Sequence, residues 1–523
     1  FDKRNRFGIR KLSVGVCSVV VATCFLGVTT SYAEEQAERS ETREERVDTS
    51  DVEHQGEEET AVKDHQEEPE HSSPATSEKE SRAVSQGTEA TQPVATADEE
   101  PEIADYGPLP SKAQMQYHRE ELAAFIHFGM NTYYDREWGD GQEDPYYFYP
   151  EHLDTDQWIK TLKDAGFKRT IMVVKHHDGF LLYPSKYTDH TIAKSGWKEG
   201  KGDVLAEVSA SASKYDMDMG VYLSPWDAHS PLYHVDTEDQ YNEYYLNQLK
   251  EILEDPKYGN KGKFVEVWMD GARGDGAQKV TYTFDKWFEA IRKAQGDIAI
   301  FSAEPTNVRW IGNEKGIAGD PVWHKVNPDK IRNNPSNSYL NHGDPEGKQY
   351  SVGEADVSIR SGWFYHDNQE PKSLRELMDI YFKSVGRGTP LLLNIPPNQD
   401  GKFADADVAR LKEFRQTLDQ LYSVNYAAGA LVEADSTRRN PLYKASHLTD
   451  GDEKTSWAPA DDAKTGSFVL DLGKEQHFDV VELKETIEKG QRISGFTIDV
   501  AVNGQWVPFG AGSTVGYRRL IKG

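Results

Sequence analysis

Cysteine is almost missing: the chain holds two, Cys17 and Cys24, both within the first 33 residues. A body without thiols excludes disulfides, thiolate metal sites and cysteine nucleophiles together. No glycine-rich phosphate loop follows the first apolar segment of that body, which argues against a dinucleotide fold. Lys and Arg number 60 against 88 Asp and Glu, with no basic patch, so no nucleic-acid partner is expected. Long apolar runs are scarce too. The clearest one, about Leu12 to Val28, follows Lys3, Arg4, Arg6, Arg10 and Lys11 and precedes the small-x-small pattern Ser31-Tyr32-Ala33. That layout is a secretory signal peptide rather than a membrane anchor, and no membrane contact is expected after its removal. An exported protein without disulfides fits a bacterial surface, where a large core must supply the stability.

What is present is unevenly spread. Residues 1–33 carry a net charge of about +4, residues 34–105 about −18 and the remainder about −14, giving the total of −28. Residues 34–105 hold no aromatic side chain and little to bury, which predicts a disordered acidic linker. At 523 residues the chain is too long for one ordinary core, so two folded domains plus tails are expected. It opens on Phe1 and stops at VGYRRLIKG, which reads as mid-strand, so both ends are expected to be truncated.

From residue 106 to about 425, short apolar runs alternate with helical patterns. AAFIHFG, KRTIMVVKHHDG, MGVYLSP, FVEVWMDG, IAIFSAEP and PLLLNIPP read as strands. DTDQWIKTLKDAGF, VLAEVSASASKYDM, QYNEYYLNQLKEILED, FDKWFEAIRKAQG and SLRELMDIYFKSVGRG read as helices. Buried strands separated by helices predict an α/β fold, a (β/α)8-like TIM barrel. Its strand ends carry His127, His176, His177, Tyr222, Asp270, Glu304 and Asn394, which a parallel barrel gathers on one face. Asn394 can equally pair backbone groups at a strand end. Residues 426–523 read as short strands and turns, an all-β sandwich domain expected to be truncated where the chain stops mid-strand. Asp450 and Asp452 in it read as turn residues before calcium ligands.

The hydrophobic stretch VEVWMDGARGDG ends on Asp270, and an unpaired carboxylate there is costly unless it caps a helix or serves chemistry. The strand-end face also offers Trp138, Tyr222, Trp226, Trp268, Trp310 and Trp363, whose flat faces suit the C–H faces of sugars. Glycoside cleavage needs two carboxyl groups flanking one bond. Asp270, on a rigid strand end, suits the nucleophile; Glu314, in VRWIGNEKGIAGD, suits the proton donor. His176-His177-Asp178 raises a metal site, but neighbours on a strand face opposite ways, so no metal site is expected there.

Stretches of the chain resemble three known families. RFGIRKLSVGVCSVVV resembles the YSIRK-type signal peptide of Gram-positive surface proteins, which implies a secreted or cell-surface location with cell-wall attachment possible. LTDGDEKTSWA followed by SFVLDLG resembles the galactose-binding-like F5/8 type C domain. FIHFGMNTYYDREWGDG, AGFKRTIMVVKHHDGFLLYPSKYTDHT, MGVYLSPWD, VWMDGARGDG and GRGTPLLLNIPPNQDG, in that order, resemble glycoside hydrolase family 29, the α-L-fucosidases. That resemblance implies a retaining exo-α-L-fucosidase acting on fucosylated oligosaccharides and glycoconjugates, with no cofactor or metal. It places Asp270 as nucleophile, and His127, Glu137, Trp138, His176, His177, Tyr222 and Trp268 around fucose, with Trp363 closing the pocket. RWIGNEKG resembles the α-1,3/1,4-specific subgroup and points to Glu314 as acid/base, with Glu304 in reserve.

Overall fold

The computed structural model describes residues 6–13, 17–22, 99–233, 238–274 and 280–523. The expected cleavage site and most of the expected acidic linker lie outside the described residues.

Eight parallel strands close into a barrel: β1 Leu122–Ile126, β2 Arg169–Lys175, β3 Asp218–Leu223, β4 Glu266–Trp268, β5 Ala299–Phe301, β6 Val308–Trp310, β7 Val352–Ser358 and β8 Leu391–Asn394. β8 pairs back onto β1, with Leu391 opposite Leu122. Every residue of β1 and β2 is buried, as expected of strands covered on both faces. The helices form where the apolar spacing and the caps predict them. Asp154 and Asp203 each accept a bond at 2.9 Å from a backbone N–H three residues on, opening α1 (Thr155–Asp164) and α2 (Val204–Tyr215). Ser373 and Glu376 form a reciprocal capping box at α5 (Leu374–Lys383), while α3 (Glu238–Leu253), α4 (Phe284–Gln295) and α6 (Asp405–Leu421) complete the cover.

The alternation is irregular in one sector. Six residues without a helix join β5 to β6, and two short helices, Pro328–Arg332 and Asn337–His342, lie between β6 and β7. The sequence pattern offers neither β6 nor β7 as a strand. β6 is three residues long, and β7 (VGEADVS) carries two acids where a buried strand is expected to be apolar.

The second domain has the expected sandwich form, built from β9 Leu431–Ala434, β10 Thr465–Asp471, β11 Val480–Glu485, β12 Phe496–Val502, β13 Gln505–Gly512 and β14 Arg519–Lys522. Trp457, Phe468, Leu470, Val481, Leu483, Phe496 and Ile498 fill its core. Two segments expected to act as a signal take strand form here. Arg6–Ser13 lies between β10 and β12, and Cys17–Ala22 pairs with β11. Their β-branched run has strand propensity, and the pairing satisfies backbone groups along β10, β11 and β12. The sandwich is fastened to the barrel: Leu520 and Val480 join the barrel core, Gln491 Oε1 accepts from His324 N at 2.9 Å, and Arg518 Nε meets Glu121 at 2.6 Å. Among the described residues no helix is long and apolar enough to cross a membrane.

Candidate active site

Asp270 lies two residues beyond β4, half-buried at the strand-end face of the barrel. Its Oδ2 accepts from Tyr222 Oη at 2.9 Å and its Oδ1 from Ala272 N at 2.8 Å. Two donors on two elements therefore fix the carboxylate, and neither is a cation. Gly274, four residues on, has a steric reason: its φ is +78°, and a Cβ there would run into the Trp226 ring.

Trp268 is the floor. Its indole stacks on Phe301 at 3.8 Å between ring centres and on Tyr222 at 5.1 Å, and its Nε1 donates to the buried Glu354 at 2.7 Å.

The histidines surround this floor. His127 Nδ1 meets Asn394 Oδ1 at 2.8 Å, while Asn394 Nδ2 donates to Ser358 Oγ and to the Trp363 carbonyl. The amide oxygen can only accept, so His127 donates from Nδ1 and keeps Nε2 as an acceptor. Burial holds this imidazole near a pKa of about 4, hence neutral. Asn394 thus seats the histidine and the Trp363 segment together, a role beyond strand-end pairing.

His176 and His177 correct the sequence expectation. Both rings stand on the same side, 4.1 Å apart, because β2 ends at Lys175 and the alternation of a strand ends with it. The turn beyond is held by Gly179 N to the His176 carbonyl at 3.1 Å and Phe180 N to Asp178 Oδ1 at 2.7 Å. His177 Nδ1 contacts Ser224 Oγ at 2.8 Å, leaving Nε2 3.8 Å from Asp270. Burial, more than any neighbouring charge, lowers the pKa of both imidazoles. Among the described residues no group of His, Cys, Asp and Glu is arranged to hold a metal ion.

Trp138 stands at the rim, 56% exposed, its ring edge-on to His177 and Trp226. Glu137 makes three bonds within the protein. Its oxygens accept from Trp363 N at 2.7 Å, Phe364 N at 3.2 Å and His366 Nε2 at 2.6 Å, so it fastens the Trp363 segment. Trp363 lies 5.1 Å from His127, ring to ring, and its Nε1 donates to Glu314 Oε2 at 3.3 Å.

Glu314 reaches the site from the segment after β6. It lines, with Asp270, Trp268, Phe301, Trp310 and Asp356, one cavity of about 470 Å³. Partial desolvation first, then the negative charges of Asp270 and Glu137, raise its pKa above the usual carboxylate value; the Trp363 indole opposes them. Glu304 borders the same cavity, where its Oε1 accepts from Arg332 Nε at 2.6 Å. The sequence reading missed Glu354, Asp356 and Ser358. Their every-second-residue spacing on VGEADVS was the available signal.

Comparison with known proteins gives the family. The Alpha-L-fucosidase family model matches residues 109–420, the YSIRK type signal peptide residues 2–27 and the F5/8 type C domain residues 432–519. The YSIRK signal marks the chain for secretion in Gram-positive bacteria. The chain is 40% identical over 420 residues to Alpha-L-fucosidase 1 of Arabidopsis thaliana, covering 79% of this chain and 82% of that one. The crystal structure of SpGH29 superposes with a TM-score of 0.79 at 59% identity over 81% of this chain and 93% of that one. A GH29 fucosidase of Ruminococcus gnavus in complex with fucose gives 0.77 at 41% identity, over 82% and 92%. A barrel with an aspartate beyond one strand and a glutamate on the loop after another, both in one cavity, matched over most of its length by these proteins, belongs to the α-L-fucosidases of glycoside hydrolase family 29.

Proposed function

We propose that this fucosidase is retaining and that it removes terminal α-1,3- and α-1,4-linked fucose from branched host glycans, Lewis-type antigens included. The observation that carries the reading is the shared cavity: a fixed, uncompensated Asp270 and a Glu314 of raised pKa border one space. In the first step a carboxylate oxygen of Asp270 bonds to the anomeric carbon while Glu314 gives its proton to the departing oxygen. Glu314, now ionised, takes a proton from water, which attacks the fucosyl–enzyme ester and releases fucose with its configuration kept.

His127 Nε2 and the two neighbouring histidines serve the sugar hydroxyls, and Trp268, Trp138 and Trp363 supply apolar faces. The wall running from Glu304 to Asn337 borders the same cavity beyond the acids and takes the rest of the glycan. A long acidic segment between signal and barrel, with cell-wall attachment, would carry the barrel away from the cell surface.

Two measurements test this. Proton NMR of the first-formed fucose is expected to show the α anomer; an initial β product would replace retention with inversion. Side-by-side assay of α-1,2, α-1,3, α-1,4 and α-1,6 fucosides is expected to give turnover on the α-1,3 and α-1,4 members only. A chain that binds these glycans and releases no fucose would be an adhesin on an inactive barrel.

A further inference from the structure

β7 is the strand that the sequence pattern hides, and its inward face is polar. Glu354, Asp356 and Ser358 alternate along it, all buried, and each holds a different part of the pocket. Glu354 takes the Trp268 indole, and Ser358 takes Asn394, which seats His127 and Trp363. Asp356, between them, borders the cavity beside Asp270 and Glu314.

Two bonds tie Asp356 to the segment that carries Glu314. Its Oδ1 accepts from the Trp310 indole at 3.0 Å, and its peptide oxygen accepts from Gly316 N at 3.1 Å. Residues 310 and 316 bracket Glu314, so one residue of β7 closes both ends of the loop. The return at Gly316 is tight: φ is +68°, and a Cβ there would press on Val357 and Ile380. Glu314 itself is exposed, and among the described residues its side chain is held by the long bond from Trp363 alone. A proton donor must sit within hydrogen-bond reach of the leaving oxygen, and about 1 Å of misplacement costs on the order of 100-fold. An exposed glutamate on a loop reaches that precision only through what fixes the loop.

We propose that Asp356 is a positioning residue that sets where Glu314 meets the departing glycosidic oxygen. This rests on Glu314 being the acid/base, as proposed above. The electrostatics agree with the geometry. Burial first, then the charge of Glu314, hold the Asp356 carboxyl well above the usual carboxylate range. The Trp310 indole opposes that rise, and it is the bond by which Asp356 holds the start of the loop.

The test uses the full chain carrying Asp356→Ala, Asp356→Asn or Trp310→Phe. The substrates are a fucosylated trisaccharide and aryl α-L-fucosides whose phenols span a range of acidity. Asp356→Ala is expected to lower kcat/KM on the trisaccharide by about 30-fold to 100-fold, and by less than about 3-fold on the most acidic phenol, which leaves without a proton. Asp356→Asn, which keeps a neutral oxygen acceptor, is expected to restore most of that loss. Trp310→Phe is expected to reproduce the leaving-group dependence, and the Trp310→Phe/Asp356→Ala double variant to be no worse than the worse single one. A loss equal across all leaving groups, or an Asn variant as impaired as Ala, overturns the proposal. If Asp356→Ala does not fold, Asp356→Asn and Trp310→Phe still decide it. Glu314→Gln, run alongside, separates the two levels. Wild-type trisaccharide turnover in that variant removes the acid/base assignment whatever Asp356 does.

Discussion

At the base of the barrel Arg169 sits between Glu120 and Glu266 at 2.7 and 2.8 Å, all three buried or nearly so, with its guanidinium over the Tyr117 ring. At the mouth Asp270, Glu314 and Asp356 border one cavity, and among the described residues no lysine or arginine bonds to any of them. Both ends are built from carboxylates and aromatic rings. At the base the negative charge is answered by a cation and closed off, which makes it part of the framework. At the mouth it is held by neutral donors, Tyr222, Ala272, Trp310 and Trp363, which fix position without cancelling charge. A cation beside a carboxyl favours its ionised form and so opposes holding a proton, whereas neutral donors leave more of the charge available to a substrate.

The largest break in this contrast is Asp270→Ala. Removing the nucleophile is expected to lower kcat by about 10^4-fold or more. Fucose release followed by chromatography measures it, and the melting temperature is expected to stay close to that of the wild type. Retained turnover would make the mouth a mere second framework.

Arg169→Met addresses the other end. It leaves Glu120 and Glu266 without their cation in a dry interior, a change that costs about 3–5 kcal/mol when one partner of a buried pair is removed. Urea unfolding is expected to record that loss, while the pH profile of kcat/KM keeps its shape. A shifted profile would mean that the base feeds the chemistry directly.

The smallest effect sharpens the contrast. Trp363→Phe removes the one indole N–H that stabilises the ionised Glu314 and so lowers its pKa. Without it the carboxyl holds its proton to higher pH, and the alkaline limb of kcat/KM is expected to move upward, even if the rate itself falls. A downward shift would show that another group sets that limb.

The sequence was legible where the periodicity was clean. Apolar runs such as AAFI, TIMVV and LLLN announced six barrel strands, and Asp154, Asp203 and Ser373 announced helix starts. β6 and β7 were not legible, since one is three residues long and the other alternates acid with apolar as an exposed strand does. In an eight-stranded barrel the inward side is not water, so the alternation that normally marks a surface marks the interior instead. His176 and His177 misled for a related reason: the strand rule stops where the strand stops. Glu137 was legible as a pocket residue, but its three partners come from residues 363–366, more than 220 positions away.

By itself the sequence determined which side chains are available, that thiols are excluded from the body, and in which order strands and helices follow one another. These are local properties, set by residue type and by periods of two or 3.6 residues. The tertiary structure alone decided which carboxyls meet a cation and which meet only neutral donors. That depends on strands far apart in the chain being closed into a ring, and the charge state of each acid follows from the neighbours that the ring supplies.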